Sequence, residues 1–470
     1  MDDPNASEGT VDNRQRHPQG RRLRSWRTAG WVLIAGAMAG MLACASSGSS
    51  GPGGRGRMDE DGPDGFPLRG DRKVRPGITV LLDDSIKLIA GKRVGLITNQ
   101  TGVDEKSRRT IDLLATDPRA ARAGVRLVRL FAPEHGMQGT ADRPNLADDR
   151  DAKTGLTVHS LYQRTTIAPP DSLLTDVDVL VVDLQDIGTR TWTYVGVMLY
   201  AMRAGERRNI PVVVLDRPNP LTGSRTEGAV LDSALANPNE STPQRAANGF
   251  ALWPMPLRHG LTMGELARLF QSQLALKTRL TVVPMRNWRR QMWFDETGLP
   301  WIKPSPNLPN LTSALLYPAL VPFEGSNVSV GRGTAEPFQR FGASWLRADT
   351  VARLLEDLSL TGVRFHAEKF TPTQPGDGKF AGRSIPGIRM EVIDRDLVQP
   401  ARIGAAILWA LNRIHRDSLR ITPKSFDERL GATRVREAIL SGGDPDAVLD
   451  RQLPLVVTFS REARRVYLYR

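Results

Sequence analysis

One cysteine in 470 residues, Cys44, leaves no internal disulfide to build. The chain has no Walker loop, no dinucleotide glycine fingerprint between a strand and a helix, and no Gly-x-Ser-x-Gly elbow. It therefore lacks the phosphate cradle of nucleotide enzymes and the nucleophile turn of serine hydrolases. Basic residues interleaved with aromatics, the usual footprint of a nucleic-acid groove, are also missing. The net charge of +13 comes from arginines scattered among acidic residues. There is no internal repeat. The longest small-and-apolar run, "AGWVLIAGAMAGMLA", is shorter than the roughly 20 residues a spanning helix needs.

What is present describes a folded protein with a leader. Hydrophobic content is 40% and charged content 24%, ordinary for a globular chain of one or two domains. Arg21, Arg22, Arg24 and Arg27 precede the apolar run, which ends at Cys44. This is the layout of a secretory signal, with the cysteine where a bacterial lipoprotein carries its lipid. An uncleaved anchor, or a plain signal with an incidental Cys44, is the alternative. The stretch 45–75 is polar and rich in Gly, Ser and Pro, composed like a flexible tether. Folding is expected to start at Pro76, with a Rossmann-like domain over 76–275 and a smaller α+β domain over 276–470.

From Pro76 strands and helices take turns. "KRVGLITN", "VRLVRLF", "VDVLVVDL" and "IPVVVLD" read as buried strands. "RRTIDLLAT" and "WTYVGVMLYAMRAGER" read as helices, and "TMGELARLFQSQL" as a helix opened by a Thr262/Glu265 capping box. The alternation predicts an α/β fold around a parallel sheet covered on both faces. Farther on, "ADTVARLLEDL" and "RIGAAILWALNRIHR" read as helices, "GIRMEVID" and "LPLVVTF" as strands.

Each polar motif follows the carboxyl end of a strand: "TNQTG", "APEHG", "DLQDIGTR" and "DRPNPLTG". Ligands of open α/β sheets bind outside those ends, so the four loops are expected to share one crevice. Their chemistry is carboxylates, amides and arginines, with no cofactor motif. Carboxylates working alone suit glycoside hydrolysis, where one acid protonates the leaving oxygen and another group meets the oxocarbenium-like centre. The rival is a metal site on Glu134, His135, Asp183 and Asp186, although adjacent Glu134 and His135 do not match the i, i+4 spacing of helical zinc ligands.

Several ordered motifs, "FAPEHGMQG", "DLQDIGTRTWTY", "DRPNPLTG" with "EGAVLD", "PMPLRHGLTMGELA", "PSPNLPNL" and "FEGSNVSVGRGTAEPF", together resemble the peptidoglycan exo-β-N-acetylmuramidase family of the NamZ type. The resemblance runs from about Pro76 to the carboxyl terminus. It implies a Rossmann-like domain, a smaller second domain and a cleft between them. That cleft would release N-acetylmuramic acid from the non-reducing ends of peptidoglycan fragments, without cofactor or metal. The family's Pro-Glu-His-Gly falls on Pro133–Gly136, making Glu134 the leading catalytic carboxyl, and "FEG" falls on Glu324, the second candidate. Two positions depart from the family pattern: "MQG" stands where relatives have Phe-Arg-Gly, and Val330 stands where a Glu is expected.

Residue by residue, Asp186 is the third catalytic candidate, and Asp183 is a substrate contact or a structural acid. His135 either anchors its loop or orients Glu134 or the sugar. Arg190, Arg217 and Arg332 are ordinary ion-pair residues or partners for the lactyl carboxylate of muramic acid, which a guanidinium fork matches. Asn99, Gln100 and Asn219 lie in turns that either aim an amide at the cleft or need no ligand. Tyr194, with Trp192, Trp293 and Trp301, either stacks on a sugar ring or packs the core. Asn327 is expected from the carboxyl-terminal part, beside Glu324 and Arg332. The leader predicts that palmitate labelling in the producing bacterium marks the full chain and is lost in Cys44→Ser; an unlabelled wild type would rule out lipidation.

Overall fold

The computed structural model describes residues 73–142, 146–162, 167–237 and 249–470. The leader, Cys44 and the tether up to residue 72 lie outside the described residues. Gly70–Arg470 form one compact unit. Packing already includes Val74, buried beside Met285 and Trp288, and Arg75 exchanges backbone hydrogen bonds with Arg286.

Among the described residues nine strands span the first part: β1 (Arg93–Thr98), β2 (Arg126–Ala132), β3 (Asp149–Arg150), β4 (Thr157–Ser160), β5 (Val179–Asp183), β6 (Val212–Leu215), β7 (Glu227–Val230), β8 (Pro256–Arg258) and β9 (Leu280–Val283). Three follow: β10 (Arg340–Gly342), β11 (Val363–Phe370) and β12 (Ile385–Val392). A seven-stranded sheet has the order β3-β4-β2-β1-β5-β6-β9, parallel throughout except at β3/β4. Alternate residues of its central strands enter opposite cores. Ile97, Val182 and Val214 join one cluster, while Leu96, Val181 and Val213 join the other. This two-sided burial is why these strands read as continuous apolar runs.

The helices Thr110–Thr116 and Thr193–Arg208 lie between β1 and β2 and between β5 and β6, and Met263–Gln273 precedes β9. The last of these carries the expected capping box: the Thr262 hydroxyl accepts from the Glu265 amide, and the Glu265 carboxylate accepts from the Thr262 amide. The sheet's last strand, β9, lies on the carboxyl side of the division expected at 275. Beyond it stand the antiparallel sheet β10-β12-β11 and a group of helices, so the α/β fold with a smaller α+β part is observed.

One element differs from its sequence reading. "LPLVVTF" forms the start of a helix, Leu453–Ala463, not a strand. Pro454 sits in its first turn, where a missing N–H costs nothing, and Val456, Phe459 and Ala463 point inward at helical spacing. Leu453, Leu455 and Val457 remain exposed. A short apolar run does not by itself distinguish the two periods.

The carboxyl terminus closes over the sheet. Just past β6, Asp216 accepts hydrogen bonds from the Tyr469 hydroxyl (2.6 Å), the Thr262 hydroxyl (2.7 Å) and the Gly264 amide (2.8 Å). Burial nevertheless pushes its carboxyl up to about 6. The folded state then keeps a proton that an unfolded aspartate releases near about 4, so stability falls as pH rises from about 4 to about 6. Relative to Asp216→Asn, wild type should lose up to about 3 kcal/mol across that window. Thermal melts of both proteins at pH 4, 5, 6 and 7 check this, and a pH-independent difference would refute it.

Candidate active site

The sheet's topological switch lies between β1 and β5, where an open α/β fold usually binds its ligand. Here the protein takes up most of that crevice, leaving a cavity of about 20 Å³ beside Thr101, Gln185 and Arg217. Arg217 pairs with the buried Asp183 (2.5 and 3.0 Å) and donates to the Val103 carbonyl, while the Thr110 hydroxyl also reaches Asp183. Thr101 accepts from the Gln185 amide across the same gap. The larger open space lies toward the end of β2, where a cavity of about 170 Å³ is lined by Glu134, His135, Thr191–Thr193, Glu324, Arg332 and Arg429, among others.

β2 stops at Pro133, which has no N–H to continue the ladder. The chain then turns sharply, with His135 at φ 70°. His135 holds this left-handed conformation through its own loop, Nδ1 lying 2.6 Å from the Ala141 carbonyl and its backbone carbonyl accepting from the Ala141 amide. The turn sends Glu134 into the cavity. Its Oε2 accepts from the Thr193 hydroxyl at 2.6 Å, beside the amino terminus of the helix Thr193–Arg208, a position that favours an anion. Tyr162 hydrogen-bonds the same carboxyl; burial first, then the Glu134 charge, pushes the Tyr162 phenol upward. Beneath the loop the buried Tyr194 hydroxyl donates to the Pro304 carbonyl (2.9 Å) and accepts from Asn99 (2.8 Å), and it lies 3.3 Å from the Glu134 carbonyl.

The opposite wall comes from the carboxyl-terminal part. The helix Leu311–Leu320 runs into a 3₁₀ turn, Val321–Gly325, that carries Glu324. Arg332 donates to Glu324 Oε1 through Nε (2.9 Å) and Nη2 (2.5 Å), and Arg429 reaches Oε2 at 3.3 Å. Burial raises the Glu324 carboxyl, but the two guanidiniums outweigh it and hold the group below the usual glutamate range. Arg332 also bonds Asp142 of the Glu134 loop, which in turn accepts from Asn307. Gly325 is required by close approach: a Cβ there would lie 2.6 Å from the Phe426 amide nitrogen. That contact brings in the helix Pro423–Leu430, whose last turn delivers Arg429.

The expected residues divide clearly. Glu134, His135, Glu324 and Arg332 line the cavity together. Asp186 does not; it accepts from the Gly188 amide and faces His259 at 3.3 Å, buried at the turn after β5. Asp183 and Arg217 neutralise one another in the narrowed crevice. Asn219 braces its own turn through the Leu221 amide and the Leu261 carbonyl. Asn327 ties to Ser418 and Arg420, and Gln100 donates to the Lys303 carbonyl. Thus the proposed metal set is split: Asp183 and Asp186 are committed elsewhere, and among the described residues no three acidic, His or Cys side chains gather as ion ligands.

Arg190 is buried, and carbonyls are its hydrogen-bond partners among the described residues. Its guanidinium donates to the Phe250, Glu428 and Arg429 carbonyls (3.1, 2.9 and 2.7 Å), and burial lowers it to about 9, still charged at neutral pH. It caps the end of the helix bearing Arg429 and so sets that residue's position. Trp192 lines the cavity, edge-on to Tyr194 at 5.1 Å, whereas Trp293 and Trp301 pack elsewhere. Neither departure from the family pattern reaches the site: Met137 and Val330 are core residues and Gln138 is exposed.

Arg429, Tyr162, Thr193 and Tyr317 also line the cavity and were not singled out from the sequence. Thr193 was within sight, inside "RTWTY", as were Ser305 and Asn307 inside "PSPNLPNL". Arg429 follows no motif, and only the packing of its helix on Gly325 brings it in.

Two carboxyls from different segments, one among hydroxyls and one between guanidiniums, line one cavity at the edge of an α/β sheet, a setting that suits a glycoside hydrolase. Family profiles described as exo-β-N-acetylmuramidase NamZ, N-terminal and C-terminal, match residues 94–312 and 315–469, and the chain belongs to this family. It is 37% identical over 399 residues to the peptidoglycan β-N-acetylmuramidase NamZ of Bacillus subtilis (strain 168), covering 84% of this chain and 92% of that protein. Crystal structures of two DUF1343 family proteins from Bacteroides fragilis are also similar. One has a TM-score of 0.75 at 33% identity and the other 0.65 at 26%, each covering 85% of this chain and 99% of its own.

In Arg332→Met the burial of Glu324 is opposed mainly by Arg429, so the Glu324 midpoint should rise. A ¹³C carboxyl titration, assigned with Glu324→Gln, checks this. An unmoved midpoint would contradict the pairing.

Proposed function

We propose that this chain is an exo-acting glycoside hydrolase that releases N-acetylmuramic acid from the non-reducing ends of peptidoglycan fragments during cell-wall turnover. The observation that carries the reading is the presence of Glu134 and Glu324 in one cavity, Glu134 among hydroxyls and Glu324 between two guanidiniums. Glu324, kept ionised by Arg332 and Arg429, does not supply a proton. Glu134 is then the acid that protonates the glycosidic oxygen. Its partners suit the task, because hydroxyls such as those of Thr193 and Tyr162 donate to a carboxylate and accept from a protonated acid. Glu324 stabilises or attacks the anomeric carbon as the leaving sugar departs. In a second scheme the substrate's acetamido oxygen is the nucleophile, and Glu324 serves the developing positive charge.

Arg429 uses one nitrogen on Glu324 and another on Ser425, leaving its third for the lactyl carboxylate of muramic acid. A cavity of about 170 Å³ is small for a ligand pocket, which supports capture of a chain end over an internal stretch. Asp186, held away from this space, takes no part. The leader supports export and tethering at a membrane surface through a lipid on Cys44, with the polar stretch as a spacer.

A chromogenic β-N-acetylmuraminide tests the reading. Wild type should turn it over, and Glu134→Gln should lower kcat by about 10²- to 10⁴-fold with an unchanged circular dichroism spectrum. No turnover by folded wild type would leave a non-catalytic muropeptide-binding protein. Activity abolished by a chelator would instead favour a metal-dependent hydrolase.

A further inference from the structure

We infer that Lys379 is a positioning residue for this reaction: from the 371–384 loop between β11 and β12, its ammonium holds the turn that presents Glu324. An ammonium has three N–H donors and no acceptor. Nζ lies 3.2 Å from the Phe323 carbonyl, 3.2 Å from the Glu324 carbonyl and 3.0 Å from the Val328 carbonyl, so all three donors are used on one turn. These are backbone oxygens at and past the end of the 3₁₀ turn Val321–Gly325; the Phe323 carbonyl also accepts from the Ser326 amide, so Lys379 is an added donor there and ties the turn to Val328. Asp377, the nearest acid on the loop, stands 3.7 Å away, outside hydrogen-bond range. The lysine therefore spends its hydrogen bonds on a main-chain shape, with Asp377 as a looser ion-pair partner.

The same loop also holds the other member of the Glu324 pair. Thr373 donates through both its amide (2.9 Å) and its hydroxyl (2.8 Å) to the carbonyl of Gly333, next to Arg332. Gly333 is in the left-handed region at φ 76°, and a Cβ there would lie 2.7 Å from the Pro375 nitrogen, so the loop sits directly on the Arg332 turn. One loop, built as the hairpin end of the smaller sheet, thus fixes where Glu324 and Arg332 meet.

Charge agrees with geometry. Groups facing Glu324 are Arg332 from its own turn, Arg429 from the helix Pro423–Leu430, Tyr317 from the helix Leu311–Leu320 and Lys379 from the hairpin. Asp142 and Asp377 balance Arg332 and Lys379. Burial lowers the Lys379 ammonium, as expected for a cation held by carbonyls and not by a carboxylate in contact.

The inference rests on Glu324 acting in the cleavage proposed above. Its test is a double-mutant cycle in the full chain with Lys379→Met and Glu324→Gln, assayed on the chromogenic β-N-acetylmuraminide, together with amide hydrogen exchange. Lys379→Met should lower kcat about 10- to 100-fold with little change in KM, the signature of a misplaced group rather than a lost binding contact. In the Glu324→Gln background the same change should cost less than about threefold, because its target is gone. Exchange should speed up in peptides spanning 321–332 and stay constant in those of β1 and β5. Lys379→Gln, which keeps two donors without the charge, should show a smaller increase. Equal losses in both backgrounds, or unaltered exchange over 321–332, would overturn the assignment. Wild type without turnover would count against the muramidase reading alone, and the exchange comparison would still decide whether Lys379 holds the turn.

Discussion

Glu324 is a carboxylate taken largely out of water, and such a charge is tolerated only when opposite charges reach it with good geometry. Here two guanidiniums do so from separate stretches of chain, Arg332 eight residues on and Arg429 from a distant helix. That helix is in turn pinned by Arg190, a buried cation from the loop after β5, through carbonyls at the helix end. The ion cluster is therefore also the joint between the sheet and the carboxyl-terminal part. Removing any one cation would leave the others facing an unbalanced charge, so the site and the docking of the two parts depend on each other.

Against that wall Glu134 experiences different surroundings. Among the described residues its neighbours are hydroxyls, a helix amino terminus and aromatic rings, with no full positive charge in contact. Carboxyls in contrasting environments within one cavity are how a single site performs both proton donation and charge stabilisation. The cavity's place follows from a second ion pair, Asp183 with Arg217, which occupies the switch-point crevice where a nucleotide would sit in other sheets of this kind. With most of that space taken, the larger opening lies one strand over, at the end of β2.

Much of the fold was legible because its cause is local. Valine- and leucine-rich strands buried on both faces produce continuous apolar runs, and the Thr262 capping box writes a helix start into four residues. The segment "LPLVVTF" was misread because seven residues do not separate a period of 2 from one of 3.6; Pro454 was the better guide. Glu134, His135, Glu324 and Arg332 stand inside dense motifs and line one cavity. Asp186, Asp183 and Asn219 stood in equally dense motifs but serve the turns themselves, since a sharp loop needs side chains to satisfy its own amides as much as an enzyme needs ligands for its substrate.

The sequence by itself determined the strand and helix alternation and the edge of the sheet at which polar loops collect, and it offered three carboxyls to follow, Glu134, Glu324 and Asp186. Periodicity, proline stops and motif spacing are properties of neighbouring residues. Only the tertiary structure decided that the switch-point crevice is narrowed to a small cavity, that Arg429 faces Glu324 across more than a hundred positions, and that Lys379 and Arg190 brace the turns behind them. Those facts rest on which charge lies against which carbonyl after distant segments pack, and no local pattern in the chain encodes that pairing.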